Sequence, residues 1–349
     1  MRKFEKKVAI PKRNLKGKVM QEYYLSWWNL ENLFDTFDSP TRPAWLQKTL
    51  KNELKGWDQS VLEQKIGQLA KIIKQMNDGA GPDMLGVCEV ENKHVLDLLV
   101  SSLASLGRNY RVAHHDTSDQ RGIDVAFIYD GNLFTSHEQF FYVVLKRTAT
   151  RDIFQLNLKT AAGRTLIVIG NHWPSRRGGE LESEPYRIIA AETLSYWHER
   201  ILEKIGKNTP IIVMGDFNDE PFSRSVTEYA LGTKSRTKVL KATSPRLLNL
   251  SWELLGDELG THYYNNFAFM LDQFMISKGI AGRKSGFSLT QKPEWKHHIQ
   301  IEIFPEMKSH GSYPAPIKFG RPASGLNLNG FSDHYPISVV LEEQNEILK

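Results

Sequence analysis

Five short apolar runs in this chain of 349 residues each end in a carboxylate, amide or imidazole side chain. They are WWNLEN with Asn29, GVCEVEN with Glu89, IGNHWPSRRGG with Asn171 and His172, VMGDFND with Asp216 and Asn218, and FSDHYP with Asp333 and His334. Strands buried in a sheet deliver their terminal side chains to one rim, so polar residues far apart in sequence can converge there. That pattern predicts a sheet-built core with a polar site at its edge.

The rest of the chain supplies elements to match. Residues 22–29, EYYLSWWN, are rich in aromatics and predict a first strand. Over residues 58–77, Val61, Leu62, Ile66, Leu69, Ile72, Ile73 and Met76 recur at helical spacing, with Asp58 or Ser60 as N-cap. The segment NDGAGPD ends that helix, and MLGVCEV follows as a buried strand. Residues 93–106 read as a helix. Residues 110–114, 123–129, 139–145, 152–158 and 165–171 read as successive strands, followed by a helix over about 184–205 and the strand PIIVMGDF. Strands clustered centrally with helices around them predict an α/β layered sandwich, two mostly antiparallel sheets face to face with helices outside. Residues 1–20 read as a basic tail and 21–345 as a single domain. Residues 278–330, polar and aperiodic, read as a long excursion from its core.

Composition narrows the partners. A 40% hydrophobic and 24% charged chain without a long apolar run matches a soluble globular protein. The basic start lacks an apolar export segment, and one cysteine, Cys88, excludes an internal disulfide, which together point to the cytoplasm. A formal charge of +5 favours an anionic partner. No stable membrane association or obligate protein partner is expected, and the chain reads as a monomer.

Carboxylate and amide oxygens are hard ligands that favour Mg²⁺ or Mn²⁺ over zinc, and a carboxylate or imidazole beside such an ion suits phosphate ester cleavage. The series N…E…RGIDVA…NHWPS…GDFND…LDQ…SDHYP, over residues 23–341, resembles the endonuclease/exonuclease/phosphatase superfamily. Its members include DNase I, exonuclease III-type repair nucleases, neutral sphingomyelinases and inositol polyphosphate 5-phosphatases. The resemblance implies a DNase I-like fold and assigns Glu89 and Asn29 to the metal and its water shell, with Asp333 as a further ligand. It gives Asp216 the attacking water and Asn218 that water or a phosphate oxygen. His334 would contact the scissile phosphate with its tautomer fixed by Asp272. His172 is similar to the histidine of the DNase I-like and lipid- or inositol-phosphate branches and would protonate the leaving oxygen, with Asp152 as its partner. Arg176 and Arg177 on the PSRRGG loop, Arg121 and Asn171 are candidate contacts to substrate phosphate, whereas Asp124 reads as support for strand packing.

Blander readings compete at several positions. A lone Asp or Asn at a strand end is ordinarily a turn or cap residue, but five in family order are not. His114, His115 and Asp116 read as a surface turn, as do His297 and His298; Trp27 and Trp28 read as core, and Cys88 as inert. The reading is a metal-dependent nuclease acting on DNA or RNA. The alternatives are a phosphoesterase for inositol phosphates or a sphingomyelin-like lipid, and an inactive binding module on the same scaffold.

Overall fold

A computed structural model describes residues 20–311 and 313–344. The basic tail expected over residues 1–20 lies outside them except for Met20, which opens the first strand. Strands β1 (Met20–Leu33), β2 (Met84–Val90), β3 (Tyr110–His114) and β4 (Asp124–Asp130) come first. Next are β5 (Phe134–Tyr142), β6 (Ile153–Thr160), β7 (Thr165–His172) and β8 (Ile211–Asp216). Then follow β9 (Gly232–Thr233), β10 (Leu247–Asn249), β11 (His262–Tyr264), β12 (Phe267–Phe269) and β13 (Asp272–Ile276). The last are β14 (Phe287–Thr290), β15 (Ile299–Ile301), β16 (Gly320–Arg321), β17 (Gly325–Leu326) and β18 (Ile337–Gln344). The principal helices are α1 (Ala44–Leu50), α2 (Gln59–Ile73), α3 (Lys93–Ser102) and α4 (Glu180–Ile205). None of the described helices is long and apolar enough to cross a membrane.

The strands form two seven-stranded sheets. One runs β14-β18-β1-β2-β4-β3, with β15 also on β18; the other runs β5-β6-β7-β8-β13-β10-β9. Both are mostly antiparallel, as expected, and both are mixed: β1–β2, β7–β8 and β9–β10 pair in parallel. The sheets face each other across one apolar core to which Trp27, Phe127, Phe154, Val168, Met214 and Phe274 contribute. Helix α4 covers the outside of the second sheet through Ala190, Leu194 and Ile201 against Ile167, Ile169 and Val213. Helices α2 and α3 add Leu62, Ile66, Leu69, Leu96 and Leu99 to the first sheet's side. The Asp58 carboxylate accepts from the Val61 N–H and so caps α2 as the sequence predicts. Residues 278–330 contribute β14 and β15 to the first sheet.

Two boundaries moved for a physical reason. The strand expected at 139–145 runs over Phe134–Tyr142, because β5 is a sheet edge with one wet face. Its exposed Thr135, Glu138 and Gln139 hide the alternation, and Val143 and Leu145 lie exposed beyond it. The helix expected from 184 starts at Glu180, with Pro185 inside it.

Candidate active site

Strand parity decides which side chains meet. Along β7, Leu166 and Val168 enter the core between the sheets, while Ile167, Ile169 and Trp173 join the layer under α4. His172 therefore faces inward and Asn171 outward. The same count on β8 turns Ile212, Met214 and Asp216 inward, and on β13 it turns Phe274 and Asp272 inward. Register then aligns the three polar ends: His172 pairs with Asp216 across β7–β8, and Asp216 with Asp272 across β8–β13. The facing sheet supplies the rest through two irregularities. Its ladder slips between Asn29 and Leu33 on β1, where Glu31 and Asn32 take positive φ, and between Cys88 and Val90 on β2, where Glu89 has φ 61. Such bulges re-aim a side chain at a strand end.

The convergence is close. Asn29 Nδ2 donates to Asp216 Oδ2 at 3.1 Å. His172 Nε2 lies 3.7 Å from Glu89 Oε1 and 3.8 Å from Asp216 Oδ2. His334 Nε2 is 3.9 Å from Asp216 Oδ2 and 4.0 Å from Asp333 Oδ1. Asp216 Oδ1 accepts from the Asn218 N–H at 2.9 Å, and Asn218 Nδ2 donates to the Trp173 carbonyl. His334 Nδ1 and Asp272 Oδ2 are 2.6 Å apart, and Asp272 Oδ1 accepts from the Trp27 indole at 2.9 Å. Trp28 donates to the His334 carbonyl. The tryptophans are thus core residues, as read, whose N–H groups also hold the site.

Other expected residues lie elsewhere or are engaged. Asn171 is buried on the outer face, accepting from the Trp173 indole and donating toward the Met214 carbonyl, so it does not reach the rim. Asp152 does not pair with His172. Continuing the Phe154↔Gly170 register would set them opposite, but β6 begins at Ile153, and the charges that act on Asp152 are those of His115 and Asp124. His172 Nδ1 has no hydrogen-bond partner among the described residues. Arg121 reaches the rim, donating to Asn32 Oδ1 at 2.7 Å and to Glu89 Oε1 at 3.3 Å. Arg176 donates to the Asn218 carbonyl and contacts Glu180 and Asp219; Arg177 is exposed beside it. Both line a cavity of about 560 Å³ with Asn218, His262, Tyr264 and Phe269.

Sequence reasoning passed over three residues. His262 stacks near His334, ring centroids 4.6 Å apart, and its Nδ1 lies 3.0 Å from the Asp333 carbonyl. Arg151 pairs with Asp119 and donates to the Trp173 carbonyl. Lys65, fully buried on α2, donates to the Phe331 carbonyl and sits 3.9 Å from Glu31. Only Lys65 left a signal, a lysine on the apolar stripe of a helix. His114 lies 3.2 Å from Asp124, while His297 and His298 pair with Asp257 and Glu253 away from the site.

Residues 24–343 match the family model described as the endonuclease/exonuclease/phosphatase family. The chain belongs to that family. No curated protein sequence matches it. Among solved structures it is similar to the human Nocturnin catalytic domain with bound sulfate anion, at 16% identity and TM-score 0.51 over 94% of this chain and 98% of that one. It is similar to the Bacteroides thetaiotaomicron mannosyl-6-phosphatase, at 17% identity and TM-score 0.52 over 93% and 100%. It is also similar to D. rerio TDP2 complexed with single strand DNA product, at 10% identity and TM-score 0.55 over 92% and 98%. At these identities the likeness is one of fold.

Endonuclease/exonuclease/phosphatase enzymes depend on divalent metals, and the electrostatics of this rim fit such an ion. Burial and the nearby Asp272 charge push the Asp216 carboxyl up to about 7 against the pull of His334, the mark of an acidic site short of positive charge. Asp216, Asp272 and His334 bring ligand atoms within 4.8 Å of one another, and Glu89, Asn29 and Asp333 add further oxygen donors of the hard type. Burial opposes protonation of His334, but the charge and hydrogen bond of Asp272, with Asp216 and Asp333, override it and hold the imidazole well above its ordinary value. His172 moves the other way: burial, then Arg151, Arg121 and His334, hold it well below. The two histidines are therefore shifted in opposite directions by their surroundings.

Proposed function

We propose that the chain is a divalent-metal-dependent phosphodiesterase whose substrate is nucleic acid, DNA or RNA, cleaved with little sequence preference. The observation that carries this reading is the meeting of Asn29, Glu89, His172, Asp216 and His334 through contacts of 3.1 to 3.9 Å at one rim. In this mechanism Glu89, Asn29 and Asp333 would hold Mg²⁺ or Mn²⁺, which would supply neutralisation of charge on the phosphate and departing oxygens. Asp216 orients a water and takes its proton, its plane fixed by Asn29 and by the Asn218 N–H. His334, kept protonated by Asp272, faces a phosphate oxygen. His172 acts as a neutral hydrogen-bonding group and not as the leaving-group acid the sequence implied, because burial, then the charges of Arg151, Arg121 and His334, disfavour its protonation and no carboxylate partners its Nδ1 among the described residues. Arg121 and Arg177 contact phosphate oxygens.

A phosphate polymer is supported by the formal charge of +5 and by the fold shared with a DNA-product complex. One observation favours a second reading, a small phosphate ester: the arginine-lined cavity beside Asn218 is about 560 Å³ and fits one sugar phosphate. Purified protein incubated with plasmid DNA, single-stranded RNA, inositol polyphosphates and a sugar phosphate, with Mg²⁺, Mn²⁺ or EDTA, separates them. Cleavage of the polymers that EDTA abolishes supports the nuclease; turnover of the small phosphates alone overturns it.

A further inference from the structure

Most cations near the catalytic rim are already paired. There Arg121 is paired with Glu89, Arg151 with Asp119, and Arg176 with Glu180 and Asp219. Residues 229–252, by contrast, hold Lys234, Arg236, Lys238, Lys241 and Arg246 and no Asp or Glu. Among the described residues none of these five forms an ion pair. Arg236 donates to the Ala281 carbonyl, and Lys234 lies over the Trp252 ring at 4.9 Å. Lys234, Lys238 and Lys241 are exposed.

These cations line concave surface. Lys234, Lys238, Lys241, Arg246 and Trp252 border one cleft of about 740 Å³ that no Asp or Glu lines, whereas Arg246 also borders a second of about 440 Å³ where Lys207 and Lys278 are balanced by Glu199 and Glu203. Both stand off from the reacting groups. Asp272 pairs with Asp216 at the catalytic level, whereas β10 meets β13 at Leu248↔Ile276, four residues further along. At the rise of a strand that is about 13 Å, and Arg246 precedes β10 beyond it.

In the first cleft like charges gathered without acidic partners repel one another and create a single-signed field that draws a polyanion. That cleft is too extended for one small anion to reach all four of its cations. Trp252, partly exposed beneath Lys234, and exposed Phe222, edge-on to it at 6.3 Å, add aromatic surface of the kind on which bases stack. Cations set within clefts suit a strand more than a flat bilayer. We propose that the first cleft is a second nucleic-acid site, which grips the phosphate backbone of a long polymer away from the point of cleavage. The proposal does not depend on the catalytic reading, since binding here requires no turnover.

The test is anisotropy of a labelled single-stranded DNA of about 30 nucleotides with the full chain in EDTA, against a triple variant, Lys234→Glu with Lys238→Glu and Lys241→Glu. Affinity is expected to fall more than about tenfold, with the slope of log affinity against log salt shallower by about two, the share of three phosphate contacts. A triple Lys→Gln variant with an unchanged thermal midpoint is expected to lose an intermediate amount, which guards against a folding defect. Unchanged affinity and slope in both variants overturn the proposal. So does a loss confined to binding of phosphatidylserine-containing vesicles, which assigns the patch to a membrane. Failure of the nuclease reading would leave the oligonucleotide binding intact.

Discussion

At the scale of single residues, Asp216 combines the strongest constraints. It is buried, shares its oxygens among Asn29, Asn218, His172 and His334, and carries a proton affinity raised toward neutrality. Asp216→Asn keeps the shape and removes the base, so turnover should fall by about 10²–10⁴-fold. The thermal midpoint should hold or rise, since a buried carboxylate beside Asp272 opposes folding at neutral pH. Turnover near wild type would remove Asp216 from the mechanism. A second residue tests burial alone. His198, on α4, is fully enclosed with Nε2 unpartnered, and burial lowers its pKa from 6.5 to about 4. Above 6.5 folded and unfolded states are both neutral there. As pH falls below 6.5 the unfolded chain takes a proton that the fold refuses, so stability is lost progressively down to about 4. Between about pH 7 and about pH 5 the loss is about 2 kcal/mol. Urea unfolding of His198→Leu at both pH values should show a decline smaller by that amount; equal declines would refute the assignment.

At the scale of elements, what was legible in the sequence was whatever has a period. The α2 stripe, its Asp58 cap and the apolar runs of β2, β7 and β8 follow from side-chain spacing, and each appears within a few residues of its expected place. The bulges at Glu31–Asn32 and Glu89 left no mark, because a non-glycine residue at positive φ is imposed by the neighbouring ladder and not by its own preference. The small residues between the sheets were also silent. A Cβ on Gly86 of β2 would stand 2.7 Å from the Trp27 ring and 2.8 Å from Met214 Sδ on the opposite sheet. Trp27 in turn holds Asp272. Gly86→Ala should therefore cost about 1–3 kcal/mol by overpacking, read as a lower urea midpoint. Turnover should fall with it through the displaced Trp27 indole. A fully stable variant would show that the sheets have slack the packing denies.

For the whole molecule, the motifs named most of the site, but only register could say which residues share it. His172, Asp216 and Asp272 stand side by side because β7, β8 and β13 are adjacent and in phase, a fact of pairing between segments up to 100 residues apart. Asn171 stands off the candidate rim because its side chain belongs to the opposite face from that of its neighbour His172, and Asp152 stands apart from His172 because β6 begins one residue after it. Assembly from distant segments has an energetic consequence. Glu89 and Asn29 come from β2 and β1 and Asp333 from the turn before β18, segments far apart in sequence, so an ion held by these three would bind only the folded arrangement. A ligand that binds only the folded state stabilises it by about 2.7 kcal/mol at a hundred times its dissociation constant. Adding Mg²⁺ or Mn²⁺ to EDTA-treated protein should raise the thermal midpoint in a saturable way. Glu89→Gln should weaken that rise, while Lys238→Gln, far from the rim, should leave it intact. A midpoint indifferent to both ions would mean that the raised proton affinity of Asp216 reflects burial alone, and the metal-dependent reading would fall with it.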